Sequence, residues 1–122
     1  MTRRPFGPGP DTLLCDGVPV APVAVAARTA DRRRGLLGTD AVLGALWITR
    51  CPSVHMVGMR YPVDVAVLDR DGLVLHVARL RPWTGSTWPR RGASATVEAA
   101  AGALAGWGVV VGSRLEVRRR PG

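Results

Sequence analysis

Residues 63–77 read Val-Asp-Val-Ala-Val-Leu-Asp-Arg-Asp-Gly-Leu-Val-Leu-His-Val and carry the strongest secondary-structure signal of the chain. The valines of its first arm stand at alternate positions, Val63, Val65 and Val67. A period of two is typical of a strand with one buried face, while Asp and Gly favour tight turns. The pattern predicts an antiparallel hairpin over residues 63–79, with its turn at residues 69–72 and the three valines on one face.

Shorter segments on both sides of this hairpin also favour β structure. Residues 12–20 predict a second hairpin around a type I′ turn at Asp16-Gly17. Further strands are expected at residues 23–26, 45–49, 95–99 and 115–117. Two short helices are expected at residues 29–38, from an N-cap at Thr29 to a stop at Gly38, and at residues 100–107. Together these elements predict a mostly β, α+β domain: a small curved or barrel-like antiparallel sheet with two short helices.

The chain has 122 residues, which suits one domain. Residues 1–10 are rich in Pro and Gly and predict a disordered N-terminal tail. We therefore expect a single domain over residues 11–118 and a basic C-terminal tail over residues 119–122. No apolar run approaches the ~20 residues of a membrane-spanning helix, and no membrane association is expected.

The formal net charge is +8, and all 17 basic residues are arginines. They are dispersed along the chain, and several stand near its ends, so only weak contact with nucleic acid, without sequence preference, is expected. The two cysteines, Cys15 and Cys51, fit neither a disulfide framework nor a zinc motif. No signal peptide is evident near the start, and we expect a cytoplasmic protein with reduced thiols.

The segment from Cys51 to Asp64 concentrates the side chains that could carry chemistry. It holds a thiol, the imidazole of His55, the guanidinium of Arg60 and a carboxylate. A Cys51–His55 pair oriented by Asp64 would be a candidate nucleophilic centre. Alternatively, Cys51 is a small buried hydrophobe and the polar groups bond the loop backbone. A third interpretation is that the loop binds a ligand.

Asp64 lies among Val, Ala and Leu, where an ionised carboxylate needs hydrogen-bond donors or a cation. Arg60, His55 and the backbone of the preceding loop are the nearest donors along the chain. We expect Asp64 to be mostly buried and bound by the 54–60 loop, which it would tie to the sheet.

Other residues are candidates for binding. Trp83 belongs to a loop that interleaves tryptophan with arginine, an arrangement that suits single-stranded nucleic acid but also suits a lid over a small core. Met59 suits either a soft partner-binding patch or the core. Glu98 stands in a strand and needs a backbone donor or an arginine partner, whereas Arg32 suits a clamp on a neighbouring loop. A metal site recruiting Cys51, His55, Asp64 and His76 would need ligands far apart in sequence, and none is expected.

Several motifs in a fixed order resemble a known family. These motifs are Arg32-x-x-Gly35-Leu36-Leu37, His55-x-x-Gly58-Met59-Arg60-Tyr61-Pro62-Val63-Asp64, Leu68-Asp69-x-x-Gly72, and Val97-Glu98-Ala99-x-Ala101-Gly102 followed by Gly112. Over roughly residues 22–117 the chain resembles the bacterial and archaeal domain of unknown function 192. The resemblance implies a compact β-rich domain with short helices and implies no activity. Where many members carry Trp-Met-Lys-Asn-Thr, this chain carries His55 to Met59, so Lys- or Asn-based chemistry does not transfer.

These observations favour a small binding or accessory module over an enzyme. The expected binding residues are His55, Met59, Arg60, Asp64, Trp83 and Glu98, and the expected partner is a small molecule or a protein. The alternatives are a hydrolase using Cys51 and His55 or a carboxylate, and a weak nucleic-acid binder. We expect a monomer that needs no cofactor.

Overall fold

The computed structural model describes residues 4–122, and 41% of these residues are in strands and 8% in helices. The described strands are β1 (Pro5–Phe6), β2 (Asp11–Cys15), β3 (Val18–Ala26), β4 (Ala41–Val42), β5 (Ala45–Ile48), β6 (Val63–Leu68), β7 (Val74–Leu80), β8 (Ala95–Ala100) and β9 (Leu115–Arg118). The helices are α1 (Thr29–Arg34) and α2 (Ala103–Gly106).

The valine-rich segment forms the predicted hairpin of β6 and β7. Its turn is stabilised by Asp69, whose carboxylate accepts hydrogen bonds from the backbone N–H groups of Asp71 at 2.8 Å and Leu73 at 2.9 Å. The first hairpin is confirmed as well, since β2 and β3 pair across Asp16 and Gly17, both at positive φ as a type I′ turn requires.

Seven strands make one curled sheet in the order β7-β6-β8-β5-β3-β2-β9, a half-barrel. All its neighbouring pairs are antiparallel except β3 and β5, which run parallel because α1 carries the chain between them. The two outer strands approach each other at one end. There Val74 N–H donates to the carbonyl of Ser113 at 2.8 Å, and Leu115 N–H donates to that of Gly72 at 2.9 Å.

The sheet is packed on both faces. Val63, Val65 and Val67 share one face, as predicted, in a cluster with Leu36, Ile48, Met56 and Met59. Ala66 and Leu68 point to the other face, in a cluster with Leu13, Leu104 and Leu115. Every residue of β6 is therefore buried.

Both expected tails are partly built into the fold. Pro5 and Phe6 form β1, which pairs in parallel with β4. The expected disorder of residues 1–10 is therefore wrong for Pro5 and Phe6. Residues 1–3 lie outside the described residues. At the other end, Arg119 forms a 3.2 Å ion pair with Asp11, which also accepts a 2.9 Å bond from the N–H of Arg120. Backbone pairing and a buried carboxylate thus hold segments whose composition favours disorder.

Both helices are shorter than expected. Thr29 is the first residue of α1 rather than its N-cap, and the helix ends at Gly35, which has a φ of +51°. The expected stop at Gly38 was wrong because Leu36 leaves the helix and enters the core, where it is 2% exposed. No helix within residues 4–122 has the length and apolar character needed to cross a membrane.

Candidate functional site

A cavity of about 120 Å³ lies between the end of α1 and the segment 51–59, above the middle of β8. Its apolar wall includes Leu36, Ile48, Val54 and Met59. We call this space the Glu98 cavity, because the Glu98 carboxyl group forms part of its lining.

Glu98 is placed there by strand register. It stands opposite Leu46 of β5 and Val65 of β6, and directly opposed residues of antiparallel strands point to the same face. The side chain therefore enters the apolar valine face of the sheet, and the residue is only 5% exposed. Its Oε1 approaches the turn after α1: a Cβ built on Gly35 would lie 3.8 Å away.

The carboxyl group of Glu98 has no partner within the described part of the chain. It accepts no hydrogen bond and forms no ion pair there, although the sequence favoured a backbone donor or an arginine. Burial disfavours the charged form and raises the pKa of Glu98 from 4.5 to about 7. The cavity thus contains an acid that changes charge near neutral pH.

The segment 51–59 is irregular but firmly attached. Its start is bound to β8, where the Thr96 hydroxyl donates to the carbonyl of Cys51 at 2.6 Å. Further along, Val54 and Thr87 exchange two hydrogen bonds: the N–H of Val54 donates to the Thr87 hydroxyl at 2.9 Å, and the N–H of Thr87 donates to the Val54 carbonyl at 2.8 Å. The cavity wall is therefore held by the neighbouring loop as well as by the sheet.

Arg32 lies on the α1 side of the cavity and acts as the clamp that the sequence suggested. Its guanidinium donates to the carbonyls of Thr49 at 2.7 Å and Arg50 at 2.6 Å. These bonds join α1 to the chain that follows β5. Arg33 and Arg34 extend from the same helix, line the cavity and are exposed to solvent.

Cys51 and His55 both line the cavity, but they do not form a nucleophilic pair. Residues 4–122 show no hydrogen bond between the two side chains, and the Cys51 thiol instead donates to the carbonyl of Ser53 at 3.3 Å. Burial raises the pKa of Cys51, which favours the protonated thiol. A nucleophilic cysteine needs the reverse shift.

Asp64 is buried as expected, but its expected partners are wrong. Its carboxylate accepts a 3.0 Å bond from Nε of Arg79 and a 2.8 Å bond from the N–H of Gly102. The reason is the strand period: the segment 51–59 packs on the valine face, whereas Asp64 points to the opposite face. It cannot orient His55, and Arg60 instead pairs with Asp40 at 2.9 Å.

Comparison with known proteins identifies the family. The model of domain of unknown function 192, described as an uncharacterized ACR, matches residues 15–117. The chain belongs to this family. The search of curated proteins found no match for this DUF192 chain.

Two crystal structures share the fold of this DUF192 chain. One is a protein of unknown function from Novosphingobium aromaticivorans, with 22% identity and a TM-score of 0.69, covering 88% of this chain and 83% of that one. The other, from Sinorhizobium meliloti, is described as a proposed transcription regulator and has 22% identity and a TM-score of 0.61 over 78% of this chain and 80% of that one. At this identity the likeness concerns the fold alone.

The DUF192 fold brings some of the predicted binding residues together and separates others. His55, Met59 and Glu98 line the cavity with Cys51. Arg60, Asp64 and Trp83 do not line it. Trp83 is 63% exposed, so it is no lid over the core, although its backbone N–H donates to the carbonyl of Met56 at 2.8 Å.

Two apolar residues of the site, Leu36 after α1 and Ile48 at the end of β5, were not expected there from the sequence. The Arg32-x-x-Gly35-Leu36-Leu37 motif was the available signal, because it is part of the family resemblance and carries no hairpin or turn role. In the part of the DUF192 chain that the structure describes, no group of three or more Cys, His, Asp or Glu is placed to hold a metal ion.

Proposed function

We propose that this protein is a binding module that takes a small, largely apolar ligand into the Glu98 cavity. The observation that carries the proposal is the carboxyl group of Glu98, which has no hydrogen-bond partner among the described residues and lines a cavity with a largely apolar wall. Pockets for small molecules combine apolar walls with a few polar groups that orient the ligand. Glu98 has the position of such a group, and the segment 51–59 supplies one wall.

The size of the cavity limits the ligand. An apolar protein cavity of about 150 Å³ binds benzene, so the 120 Å³ here fits about five or six non-hydrogen atoms. The ligand is thus a small metabolite, or the end of a larger molecule whose remainder extends past Arg33 and Arg34. Exposed Trp83 is a further candidate contact for such a remainder.

Binding is better supported than hydrolysis. A Cys51 nucleophile would need a base within hydrogen-bond reach and a lowered pKa, and it has neither. A hydrolase working through two carboxylates would need Asp64 beside Glu98, yet Asp64 lies on the other face of the sheet.

The remaining features of the proposal follow from the same site. One copy of the chain supplies every wall of the cavity, so we propose a monomer. Two unpaired cysteines suit a reducing compartment, and we propose a cytoplasmic location. No cofactor enters this function.

The proposal is tested by NMR titration with three probes that share a butyl chain: n-butanol, n-butylamine and n-pentanoate. We expect at least one probe to give saturable shifts, with a Kd on the order of millimolar for so few atoms, confined to the methyl groups of Leu36, Ile48 and Met59. Val54→Phe fills the cavity and should abolish them. Val110→Phe, at an exposed position outside the cavity, is the matched control and should leave them unchanged.

Two results would overturn the binding function. One is the absence of saturable shifts with all three probes. The other is binding that survives in a folded Val54→Phe variant, which would place the probes elsewhere on the surface.

A further inference from the structure

The Glu98 cavity contains a negative group but no positive partner for it. The titratable or charged groups nearest to it come from α1, the segment 51–59 and the chain just before β6, namely Arg32, Arg33, Arg34, Cys51, His55 and Tyr61. Several have other bonds: the Arg32 guanidinium is bound to the carbonyls of Thr49 and Arg50, and the Tyr61 hydroxyl lies 2.8 Å from that of Thr39. None of these groups bonds to Glu98 in the described structure.

We propose that the cavity selects a primary ammonium group, which the Glu98 carboxylate binds while a short apolar tail lies against Leu36, Ile48 and Met59. This inference rests on the proposed function and adds the chemical class of the ligand. An ammonium group offers three donors, and a carboxylate has two acceptor oxygens for them. The pairing would give a buried ionised carboxylate the hydrogen-bonded counter-ion that it lacks in this structure.

The arginines around the cavity do not reverse this preference. Arg33 and Arg34 are exposed, and water and salt screen charges at the surface. Glu98 is a buried residue, 5% exposed as a whole, so the interaction of its carboxyl group with a bound charge is screened far less. An anionic ligand would meet repulsion from ionised Glu98 at the point where the cavity is most enclosed.

Ammonium binding should depend on pH through Glu98. Its pKa of about 7 means that the ionised fraction of the free protein rises about tenfold between pH 6 and pH 8. An alkylammonium stays charged over this range, as lysine does. The affinity for n-butylamine should therefore rise by about tenfold from pH 6 to pH 8, with release of a proton from Glu98 at the lower pH.

The experiment compares the three butyl probes at both pH values with wild type and Glu98→Gln. We expect n-butylamine to bind most tightly at pH 8 and to lose about tenfold or more in affinity in Glu98→Gln. Binding of n-butanol should change little with either pH or the variant. Glu98→Gln removes only the ionisable carboxyl group, so the pH dependence that is lost in the variant belongs to Glu98, and the melting temperature of the variant checks that it is folded.

The outcomes separate the two proposals. If n-butanol or n-pentanoate binds in the cavity but n-butylamine does not bind more tightly at pH 8, the ammonium preference is wrong while the binding function stands. An n-butylamine affinity that is equal in wild type and Glu98→Gln also overturns the preference. If no probe binds, both proposals fall.

Discussion

Glu98 should make the stability of the protein depend on pH. Its pKa is about 7 in the folded protein against an ordinary 4.5, so the folded state holds the proton more tightly than the unfolded state. Glu98 therefore contributes stability that is fully present below about pH 4.5 and is lost as the pH rises through about 7, by about 3 kcal/mol in total. Glu98→Gln should remove this loss, because the amide stays neutral, and should unfold at higher urea concentration than wild type at pH 8.

Urea unfolding at pH 5 and pH 8 measures this difference. Glu116→Gln is the matched control, since Glu116 is exposed on β9, and it should follow the wild type. A wild-type protein that loses no more stability between the two pH values than Glu98→Gln would contradict the expected burial of the Glu98 carboxyl group.

Asp64 should contribute to stability on the other face of β6. Asp64→Ala leaves the partly buried N–H of Gly102 without its acceptor and should lower the free energy of unfolding by about 1–3 kcal/mol. Arg79→Ala, which removes only the largely exposed partner, should cost less, within about 1 kcal/mol. Chemical denaturation of both variants checks this order. Equal losses would mean that the ion pair, and not the bond to Gly102, accounts for the role of Asp64.

At the scale of elements, the sequence was most informative where the signal is local. The β6–β7 hairpin was predictable because its period and its Asp69–Gly72 turn lie within one short segment. The end of α1 was less predictable, since both Gly35 and Gly38 suit the end of a helix. The helix ends at the first of them because Leu36 packs into the core. The parallel pairings of β1 with β4 and of β3 with β5 depend on distant segments, and no local pattern indicates them.

The closure of the half-barrel should depend on Gly72. This residue has a φ of +86°, and a Cβ added to it would collide with the carbonyl oxygen of Leu115. The N–H of Leu115 donates to the carbonyl of Gly72 at 2.9 Å, so the collision falls on the contact that joins the outer strands. Gly72→Ala should therefore lower stability by more than the roughly 1–2 kcal/mol of left-handed strain alone.

Gly17→Ala provides the comparison for urea unfolding. Gly17 has a φ of +82°, but the described structure has no atom within 4 Å of its added Cβ, so this variant carries the strain without the collision. If the two variants lose equal stability, the approach of Gly72 to Leu115 is not a constraint on closure.

At the scale of the whole molecule, the candidate site was only partly predictable because it is assembled from three distant segments. Residues 51–64 include a thiol, an imidazole, a guanidinium and a carboxylate, and this combination indicated that the loop is part of the site. The position of Glu98 within a strand indicated a carboxyl group that needs a partner. Which face each side chain occupies depends on how β6 and β8 pair and on where the loop packs. For this reason Glu98 lines the cavity, whereas Asp64 bonds to Arg79 and Gly102 on the other face and not to the 54–60 loop as expected.

The net charge of +8 comes from arginines, and their contacts within the protein determine which of them are free to bind phosphate. Several arginines bond within the protein: Arg60, Arg79 and Arg119 form ion pairs with Asp40, Asp64 and Asp11, and Arg32 and Arg114 donate to backbone carbonyls. Phosphate contacts by these side chains would have to compete with these bonds. The exposed arginines nearest to exposed aromatic residues are Arg81, Arg90 and Arg91, in the loop that carries Trp83 and Trp88.

We therefore expect weak binding to single-stranded DNA, with a Kd of roughly 10 µM or more at physiological salt and no preference between sequences. Fluorescence anisotropy with an oligo-dT and a mixed-sequence strand of equal length, across a salt series, measures both properties. Replacing Arg81, Arg90 and Arg91 together with alanine should weaken binding equally for both strands and reduce the salt dependence. Sub-micromolar binding at physiological salt would contradict this expectation. A preference for one strand that the triple variant loses would contradict it as well. Either result requires an organised binding surface, which dispersed arginines do not provide.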